Sequence, residues 1–257
     1  MVVPKIIHQI FLSGSLPPVL REQVEALKQR NPGWKHSLYN DEDANNFIRE
    51  NYGGSMEETY NLISKEYGAA RADLLRHLLI YQHGGVYLDI KSNISKPLDA
   101  VLRADDQYLL TQWDNKPGGA REGFGLHPEL SNVPGGEYQT HAIMAAPRHP
   151  FSRAAIDRIV HNIRNYKPWS GVGKMGVVRT TGPSAYTLAV HPLRATAPHR
   201  IATEEELGLE FSIPHYDHAS IFKEHYSKLT GPVARLGPVG RASQRLIEGL
   251  RHFGRAV

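Results

Sequence analysis

The sequence contains no cysteine. A disulfide framework and a thiolate metal site are therefore excluded, and the composition fits a reducing compartment. Long apolar runs are also absent, because no segment approaches the ~20 apolar residues that a membrane-spanning helix needs. The opening residues 1–8 show neither a signal peptide nor an anchor. We expect a cytoplasmic protein, soluble or peripheral on the inner face of the cell membrane.

The excess of positive charge is small. The chain has 30 Lys and Arg residues against 26 Asp and Glu, a formal net charge of +4. This excess does not require nucleic acid, and we expect no such partner. It suits anionic ligands such as a sugar diphosphate or an acidic membrane surface. With 40% hydrophobic content, 257 residues are enough for one substantial core.

The order of predicted elements favours an α/β fold. Residues 5–11 and 34–39 read as short strands, and each precedes a predicted helix, one from near Val19 and one from the Asn40 cap to about Asn51. This alternation favours a parallel sheet.

The strongest helix is predicted for residues 66–83, which are apolar over most of the circumference. Gly84 and Gly85 supply a stop and a tight turn, and residues 86–90 form a strand that carries Asp89 near its end. Acidic groups at the carboxyl end of a sheet strand are where α/β enzymes usually bind ligands.

The second half predicts strands at 108–112 and 142–146, a helix at 151–166 and a turn at 180–184 that leads into another helix. Residues 114–137 are dense in glycine, proline and charge, which favours a functional cover. Residues 171–174 (GVGK) resemble part of a phosphate-binding loop, but Met175 stands where Ser or Thr is needed. We expect a flexible active-site loop there.

Three charged side chains stand out in the most apolar part of the chain. Asp73 and Arg76 are three residues apart and share a helix face, and Asp89 arrives on the next strand. A purely structural role is the alternative: Asp73 and Arg76 would form an ion pair on the helix, and Asp89 would cap a loop. Three buried charges are costly without a ligand or partner, so their combination favours one polar pocket.

These motifs resemble the DXD-containing glycosyltransferases, which include fungal initiating mannosyltransferases, bacterial polysaccharide glycosyltransferases and clostridial glucosylating toxins. The resemblance rests on residues 4–11 (PKIIHQIF), 72–76 (ADLLR) and above all 84–89 (GGVYLD). Residues 149–151 (HPF) and 181–183 (TGP) are weaker matches. The family implies a GT-A fold: a Rossmann-like α/β fold with a mostly parallel central sheet flanked by helices, with helical additions.

The resemblance implies transfer of a sugar from a UDP- or GDP-sugar to a saccharide or glycolipid acceptor. Retention of anomeric configuration and a place in cell-surface polysaccharide or lipopolysaccharide synthesis are expected. Catalytic and donor contacts would come from Asp73, Arg76 and Asp89, which match the family motif. The other implied donor-binding residues are His8, Gln9, Ile10, Gly85, Tyr87 and Lys91.

The sequence departs from the family pattern at Lys91, where a second Asp is usual. We expect a divalent metal, Mn²⁺ or Mg²⁺, held by Asp89 with His225 or Ser227. An ammonium cannot ligate such an ion. Lys91 could instead neutralise the diphosphate itself, and both possibilities stay open.

We expect one GT-A catalytic domain over residues 1–230, with a donor-binding half at about 1–100 and an acceptor-side half at about 101–230. Residues 231–257 form a basic tail. Its arginines favour contact with anionic lipid, although a solvated tail fits the same composition. They are Arg235, Arg241, Arg245, Arg251 and Arg255.

Two other functions fit parts of the pattern. A nucleotide-sugar hydrolase would use the same donor pocket and pass the sugar to water. A carbohydrate-binding protein would have no turnover. The long segment 114–137 favours an acceptor-side cover, and the polar cluster argues against simple sugar binding.

Overall fold

The computed structural model describes residues 2–212 and 226–236. The first half contains β1 (Ile6–Ile10), α1 (Pro18–Arg30), β2 (Lys35–Tyr39), α2 (Asp41–Tyr52), α3 (Gly54–Leu62), α4 (Gly68–His83), β3 (Gly85–Leu88), β4 (Asn93–Ile94) and α5 (Leu98–Val101). The second half contains β5 (Tyr108–Leu110), β6 (Ala142–Ala145), α6 (Pro150–Arg164), α7 (Gly173–Thr180), α8 (Pro183–Val190), β7 (Arg200–Ile201), α9 (Glu204–Leu207) and β8 (Leu209–Glu210).

The central sheet has the strand order β2-β1-β3-β6-β5-β7. β1 pairs in parallel with β2 and β3, and β5 pairs in parallel with β7. β6 runs antiparallel to β3 and β5. The sheet is therefore mostly parallel, as predicted. A separate pair, β4 and β8, is antiparallel.

Hydrophobic clusters cover both faces of this sheet. Along β3, Val86 and Leu88 belong to one cluster, and Tyr87 belongs to the other. The alternation follows from the two-residue period of a strand. The Tyr87 cluster also includes apolar residues of α4, α6 and α8, whereas the other includes Leu27 of α1 and Leu98 of α5. The predicted α/β class is confirmed.

Local sequence signals explain several element boundaries. The Asn40 side chain accepts hydrogen bonds from the backbone nitrogens of Glu42 and Asp43, and the Asp43 carboxylate accepts one from the Asn40 nitrogen. This capping box starts α2 at the predicted position. α6 begins with Pro150 after His149, whose side chain accepts from the Phe151 nitrogen.

The structure differs from the sequence expectation at residues 171–174. We expected a flexible loop, but α7 begins at Gly173. A Cβ on Gly176 would lie 2.6 Å from the Gly171 carbonyl oxygen. Glycines in this segment therefore allow a close backbone approach, which the sequence pattern alone does not distinguish from flexibility.

The long segment 114–137 is folded onto the protein. Leu130 and Val133 in this segment belong to the main hydrophobic cluster. The Asn115 side chain donates to the carbonyl oxygens of Phe124 and Gly135, at 2.8 and 2.9 Å. These contacts close the segment into an ordered cover, while its predicted acceptor role stays a prediction.

The first residues of the predicted basic tail also pack on the domain. Val233 and Ala234 are fully buried, and the Ser64 nitrogen donates to the Val233 oxygen at 2.9 Å. Residues 237–257, which include four of the five tail arginines, lie outside the described residues. In the described parts, every helix is too short or too polar to cross a membrane.

Candidate active site

The candidate site is built on the turn between α4 and β3. α4 ends at His83 and is followed by Gly84, which has a φ of 65°, and β3 begins with Gly85, which has a φ of 95°. A Cβ on Gly85 would lie 2.5 Å from the Ile6 carbonyl oxygen. Only glycine tolerates both the positive φ and this close backbone contact, at the point where β3 pairs with β1. This turn reverses the chain and brings the first half of α4 beside the carboxyl end of β3.

Asp73, Arg76 and Asp89 meet there as predicted. Nη2 of Arg76 lies 3.0 Å from Oδ1 of Asp73 and 3.3 Å from Oδ1 of Asp89. The Tyr87 hydroxyl donates to Oδ1 of Asp89 at 2.6 Å, and the Arg76 guanidinium lies 4.7 Å from the centroid of the Tyr87 ring. The structure thus places four of the predicted donor-site residues in one cluster.

Two threonines that the sequence analysis did not assign complete this cluster. Nη1 of Arg76 donates to the Thr140 carbonyl oxygen at 2.6 Å, and the Thr181 hydroxyl donates to Oδ2 of Asp73 at 2.8 Å. Thr181 belongs to the weaker TGP match, which was its only sequence signal. Thr140 contributes a backbone oxygen, so its residue type carried no signal.

The electrostatics of the cluster are set by burial. Asp73 and Arg76 are each about 5% exposed (6% and 5%). Burial raises the pKa of Asp73, while Arg76 and the Thr181 hydroxyl act in the opposite direction. One guanidinium between two carboxylates leaves a net charge of −1 when all three groups are ionised. Such a site gains from a further cation or from hydrogen-bond donors on a ligand.

Lys91 lies beside this cluster in a tight turn. The Ser92 nitrogen donates to the Asp89 carbonyl oxygen at 2.9 Å, and the Ser92 hydroxyl donates to the Phe211 carbonyl oxygen at 2.7 Å. Nζ of Lys91 lies 4.6 Å from the centroid of the Phe211 ring. The ammonium is therefore held by a cation–π contact next to Asp89.

Three aromatic side chains form a wall beside Lys91, which we call the aromatic wall: Trp113, Phe124 and Phe211. The Trp113 ring is edge-on to the other two, with centroids 4.8 Å from Phe124 and 5.0 Å from Phe211. The Arg121 guanidinium lies 5.9 Å from the Trp113 centroid and 5.6 Å from the Phe211 centroid. The sequence analysis missed all four residues because they come from irregular segments.

His141 and Glu204 lie at the same edge of the sheet. The Asp89 nitrogen donates to the His141 oxygen at 2.7 Å, and the His141 ring stacks on Trp113 with centroids 5.5 Å apart. Nε2 of His141 is 4.0 Å from Oε1 of Glu204, too far for a hydrogen bond. Within the described residues, neither ring nitrogen of His141 has a hydrogen-bond partner. Burial lowers the pKa of His141 to about 4, so the ring is neutral.

The predicted donor residues of β1 lie in the sheet. His8 Nε2 is 3.0 Å from the Gly84 carbonyl oxygen, and its Nδ1 is 3.2 Å from the Tyr39 hydroxyl. Burial lowers the pKa of His8 to about 4, so Nε2 carries the proton and donates, while Nδ1 accepts. Gln9 Oε1 lies 2.8 Å from Nε2 of His36. Ile10 is in the main hydrophobic cluster. Their contact with a nucleotide base stays a prediction.

The donor set does not fit a divalent ion well. Oδ1 of Asp89 already faces Arg76 and accepts from Tyr87, and the neighbouring Lys91 is a cation. Mg²⁺ prefers six oxygen ligands in near-octahedral geometry. Residues 2–212 and 226–236 contain no group of three His, Asp or Glu side chains placed to hold a metal.

The two predicted late-chain metal ligands are Ser227 and His225. Ser227 lies in a short 3₁₀ helix (Tyr226–Lys228), and its carbonyl oxygen would be 3.1 Å from a Cβ on Gly173. The structure therefore places Ser227 at the start of α7. His225 lies outside the described residues. Metal binding by these residues stays a prediction.

Comparison with known proteins finds glycosyltransferases. Residues 17–108 match the family "Glycosyltransferase sugar-binding region containing DXD motif". Inositol phosphoceramide mannosyltransferase 1 of Schizosaccharomyces pombe is 27% identical over 167 residues, 64% of this chain and 44% of that protein. Mannosyl phosphorylinositol ceramide synthase SUR1 of Saccharomyces cerevisiae is 28% identical over 181 residues, 70% of this chain and 40% of that protein.

A solved structure shows the same fold. PaToxG Glycosyltransferase superposes with a TM-score of 0.54 at 16% sequence identity, over 76% of this chain and 71% of that chain. The predicted GT-A fold is confirmed. The matched segment holds the whole Asp73, Arg76 and Asp89 cluster.

Residues 17–108 are similar to the DXD-containing glycosyltransferases, and the two curated relatives are by name a mannosyltransferase and a mannosyl phosphorylinositol ceramide synthase. The chain spans less than half the length of the two curated relatives. These similarities confirm the resemblance and the glycosyltransferase class that the motifs predicted.

Proposed function

We propose that the protein transfers a sugar from a UDP- or GDP-sugar to a saccharide or glycolipid acceptor. The observation that carries this proposal is the Arg76 guanidinium held between Asp73 and Asp89 at the carboxyl end of β3. Carboxylates and a guanidinium can hold donor hydroxyls through charge-assisted hydrogen bonds. Their fixed geometry would orient the donor before reaction, which is the main requirement for group transfer.

Transfer breaks one bond at the anomeric carbon and forms another. The bond between the anomeric carbon and the diphosphate oxygen breaks, and its electron pair leaves with the diphosphate. An acceptor hydroxyl oxygen forms the new bond to the anomeric carbon, and its proton passes to the departing phosphate oxygen. Entry and departure on the same face retain the anomeric configuration. Stabilising the leaving diphosphate then dominates catalysis.

Trp113 and Phe124 of the aromatic wall offer a surface for an acceptor near Asp89. Aromatic faces offer apolar surface to a sugar ring, and Glu204 offers a polar group at the same edge. Burial raises the pKa of Glu204, which fits a carboxyl group that exchanges solvent for a ligand. A bound acceptor would exclude the water that a hydrolase needs, so this arrangement favours transfer over hydrolysis.

The names of the relatives suggest a finer acceptor class. One relative is named an inositol phosphoceramide mannosyltransferase and the other a mannosyl phosphorylinositol ceramide synthase. We extend the proposal to a glycolipid acceptor reached from the cytoplasmic face of a membrane, with the basic tail on anionic lipid. Cell-surface polysaccharide or lipopolysaccharide synthesis is the setting that the sequence analysis proposed.

Product analysis tests the function. The protein is incubated with a panel of UDP- and GDP-sugars, with and without saccharide and glycolipid acceptors, and products are identified by mass spectrometry. Transfer predicts an acceptor-dependent glycoside. Free sugar that forms equally without acceptor would indicate a hydrolase, and binding without turnover would indicate a carbohydrate-binding protein.

Asp89→Asn is the matched variant for this assay. It keeps the size and one oxygen of the side chain but removes its charge, so we expect turnover to fall at least a hundredfold. The thermal midpoint and circular dichroism report whether the fold is intact. Near-normal turnover in folded Asp89→Asn would contradict the assigned site.

A further inference from the structure

The charge balance at the donor site points to how this chain handles a diphosphate. Asp73 and Asp89 place two carboxylates around the single guanidinium of Arg76. A nucleotide sugar brings further negative charge to this edge. Two negative partners repel unless cations lie between or beside them. The site therefore needs positive charge from another source.

Two cations converge on one aromatic ring beside Asp89. Nζ of Lys91 and the guanidinium carbon of Arg121 lie 4.6 and 5.6 Å from the centroid of Phe211. Lys91 follows Asp89 by two residues, whereas Arg121 arrives from the segment 114–137. The structure therefore brings a distant cation to the same aromatic ring as Lys91, which stands where the family pattern has a second carboxylate.

The neighbouring buried histidine provides an independent sign of a ligand. His141 is 3% exposed, and in the described parts of the chain both of its ring nitrogens lack hydrogen-bond partners. A buried polar group without a partner costs about 1–3 kcal/mol. The neutral ring has one N–H, which can donate to an oxygen of a bound anion.

We propose that Lys91 and Arg121 form a cationic clamp on the donor diphosphate and take over the charge neutralisation that a divalent ion would supply. The lysine ammonium and the arginine fork are both suited to phosphate oxygens. Phe211 positions the two cations, and His141 adds a hydrogen-bond donor. This inference rests on the proposed function, because it concerns the same donor site.

Acidic groups near the clamp compete with a diphosphate for its cations. Glu204 interacts electrostatically with both Arg121 and Asp114. The Arg121 backbone nitrogen donates to the Asp114 carbonyl oxygen at 2.9 Å. This contact does not use the guanidinium, which faces the aromatic wall. A diphosphate competes well for that guanidinium because it carries more charge.

Nucleotide binding in a strong chelator tests the clamp. Calorimetry compares UDP with uridine and GDP with guanosine, in EDTA and in Mn²⁺, with the full chain. We expect one nucleoside diphosphate to bind in EDTA at least tenfold more tightly than its nucleoside. Binding of both diphosphates only in Mn²⁺ would overturn the clamp but leave the proposed function standing. Absence of binding in every condition would contradict both.

Variants separate the two cations from general charge effects. Lys91→Ala and Arg121→Ala should each weaken diphosphate binding in EDTA at least tenfold and leave nucleoside binding unchanged. Lys116→Ala removes a cation from the same segment as Arg121 and serves as the matched control, with binding unchanged. Native affinity in either clamp variant, or an equal loss in Lys116→Ala, would overturn the proposal.

Restoring the family pattern gives the sharpest comparison. Lys91→Asp supplies the second carboxylate and removes the ammonium in one change. We expect its diphosphate binding to be lost in EDTA and recovered in Mn²⁺, so that the variant gains a metal requirement that the native protein lacks. Metal dependence identical to that of the native protein would overturn the clamp.

Discussion

Asp73 and Asp89 face the same guanidinium nitrogen, since Nη2 of Arg76 lies 3.0 Å from one carboxylate and 3.3 Å from the other. The two acids are 16 positions apart in the sequence and belong to α4 and to the end of β3. Both reach Nη2 of Arg76 because the chain reverses at Gly84 and Gly85. A change that disrupts the turn is therefore expected to disrupt the cluster as well.

The first prediction removes the shared cation. Arg76→Leu leaves the buried Asp73 carboxylate without its ion-pair partner, and such a loss costs about 3–5 kcal/mol. We expect the free energy of unfolding, measured in urea, to fall by that amount. The double variant Asp73→Asn/Arg76→Leu should recover a large part, because the uncompensated charge is gone. A cost below about 1 kcal/mol would mean that solvent already screens the pair.

The second prediction concerns recognition of the donor sugar. Asp73→Ala should weaken binding of a nucleotide sugar at least tenfold more than binding of the matching nucleoside diphosphate. The reason is that Asp73 is proposed to contact sugar hydroxyls, whereas Lys91 and Arg121 are proposed to hold the diphosphate. Calorimetry with both ligands measures the ratio. Equal losses for the two ligands would indicate a purely structural ion pair.

The third prediction concerns the turn. Gly85→Ala places a Cβ 2.5 Å from the Ile6 carbonyl oxygen at a φ of 95°. Strain and overpacking together should cost about 3 kcal/mol or more, read from urea denaturation. Gly54→Ala is the matched control, because no atom lies within 4 Å of its Cβ. We expect the control to be neutral or slightly stabilising. Equal effects of both changes would contradict the assigned turn geometry.

The sequence predicted the local part of the site well. α4, the glycine turn and β3 are consecutive, and their apolar period, glycines and acids lie within about twenty positions. Asp73, Arg76 and Asp89 meet because these local signals already define a helix, a reversal and a strand. The capping box at Asn40 is a similar case, since its partners are two and three residues away.

The rest of the site depends on contacts between distant segments. Thr181 reaches Asp73 across 108 positions, and Arg121 and Phe211 come from segments without helix or strand periodicity. Periodicity reports which face of an element is buried but not which loop covers it. The aromatic wall was therefore invisible in the sequence. The helix at Gly173 was missed for another reason, because its glycines serve close packing and resemble those of a flexible loop.

The last prediction uses the buried histidine of α4. His77 is 1% exposed, its ring stacks on Tyr186 with centroids 5.1 Å apart, and neither ring nitrogen has a hydrogen-bond partner in the described parts of the chain. Burial lowers its pKa from 6.5 to about 3. Between these values the unfolded chain binds a proton that the folded protein does not. Stability must therefore fall as the pH drops below about 6.5, by about 1.4 kcal/mol per pH unit for this residue.

His77→Phe removes the imidazole that titrates but keeps an aromatic ring against Tyr186. We expect the free energy of unfolding of the variant to depend less on pH, so that its advantage over the native protein is about 2 kcal/mol larger at pH 5 than at pH 7. Urea denaturation of both proteins at pH 7, 6 and 5 measures the difference. Any packing cost of the larger ring is the same at each pH and cancels in the comparison. His8 and His141, whose pKa values burial lowers to about 4, titrate in both proteins and also cancel. Parallel pH profiles would show that His77 takes up its proton in the folded protein, which would contradict its burial without a partner.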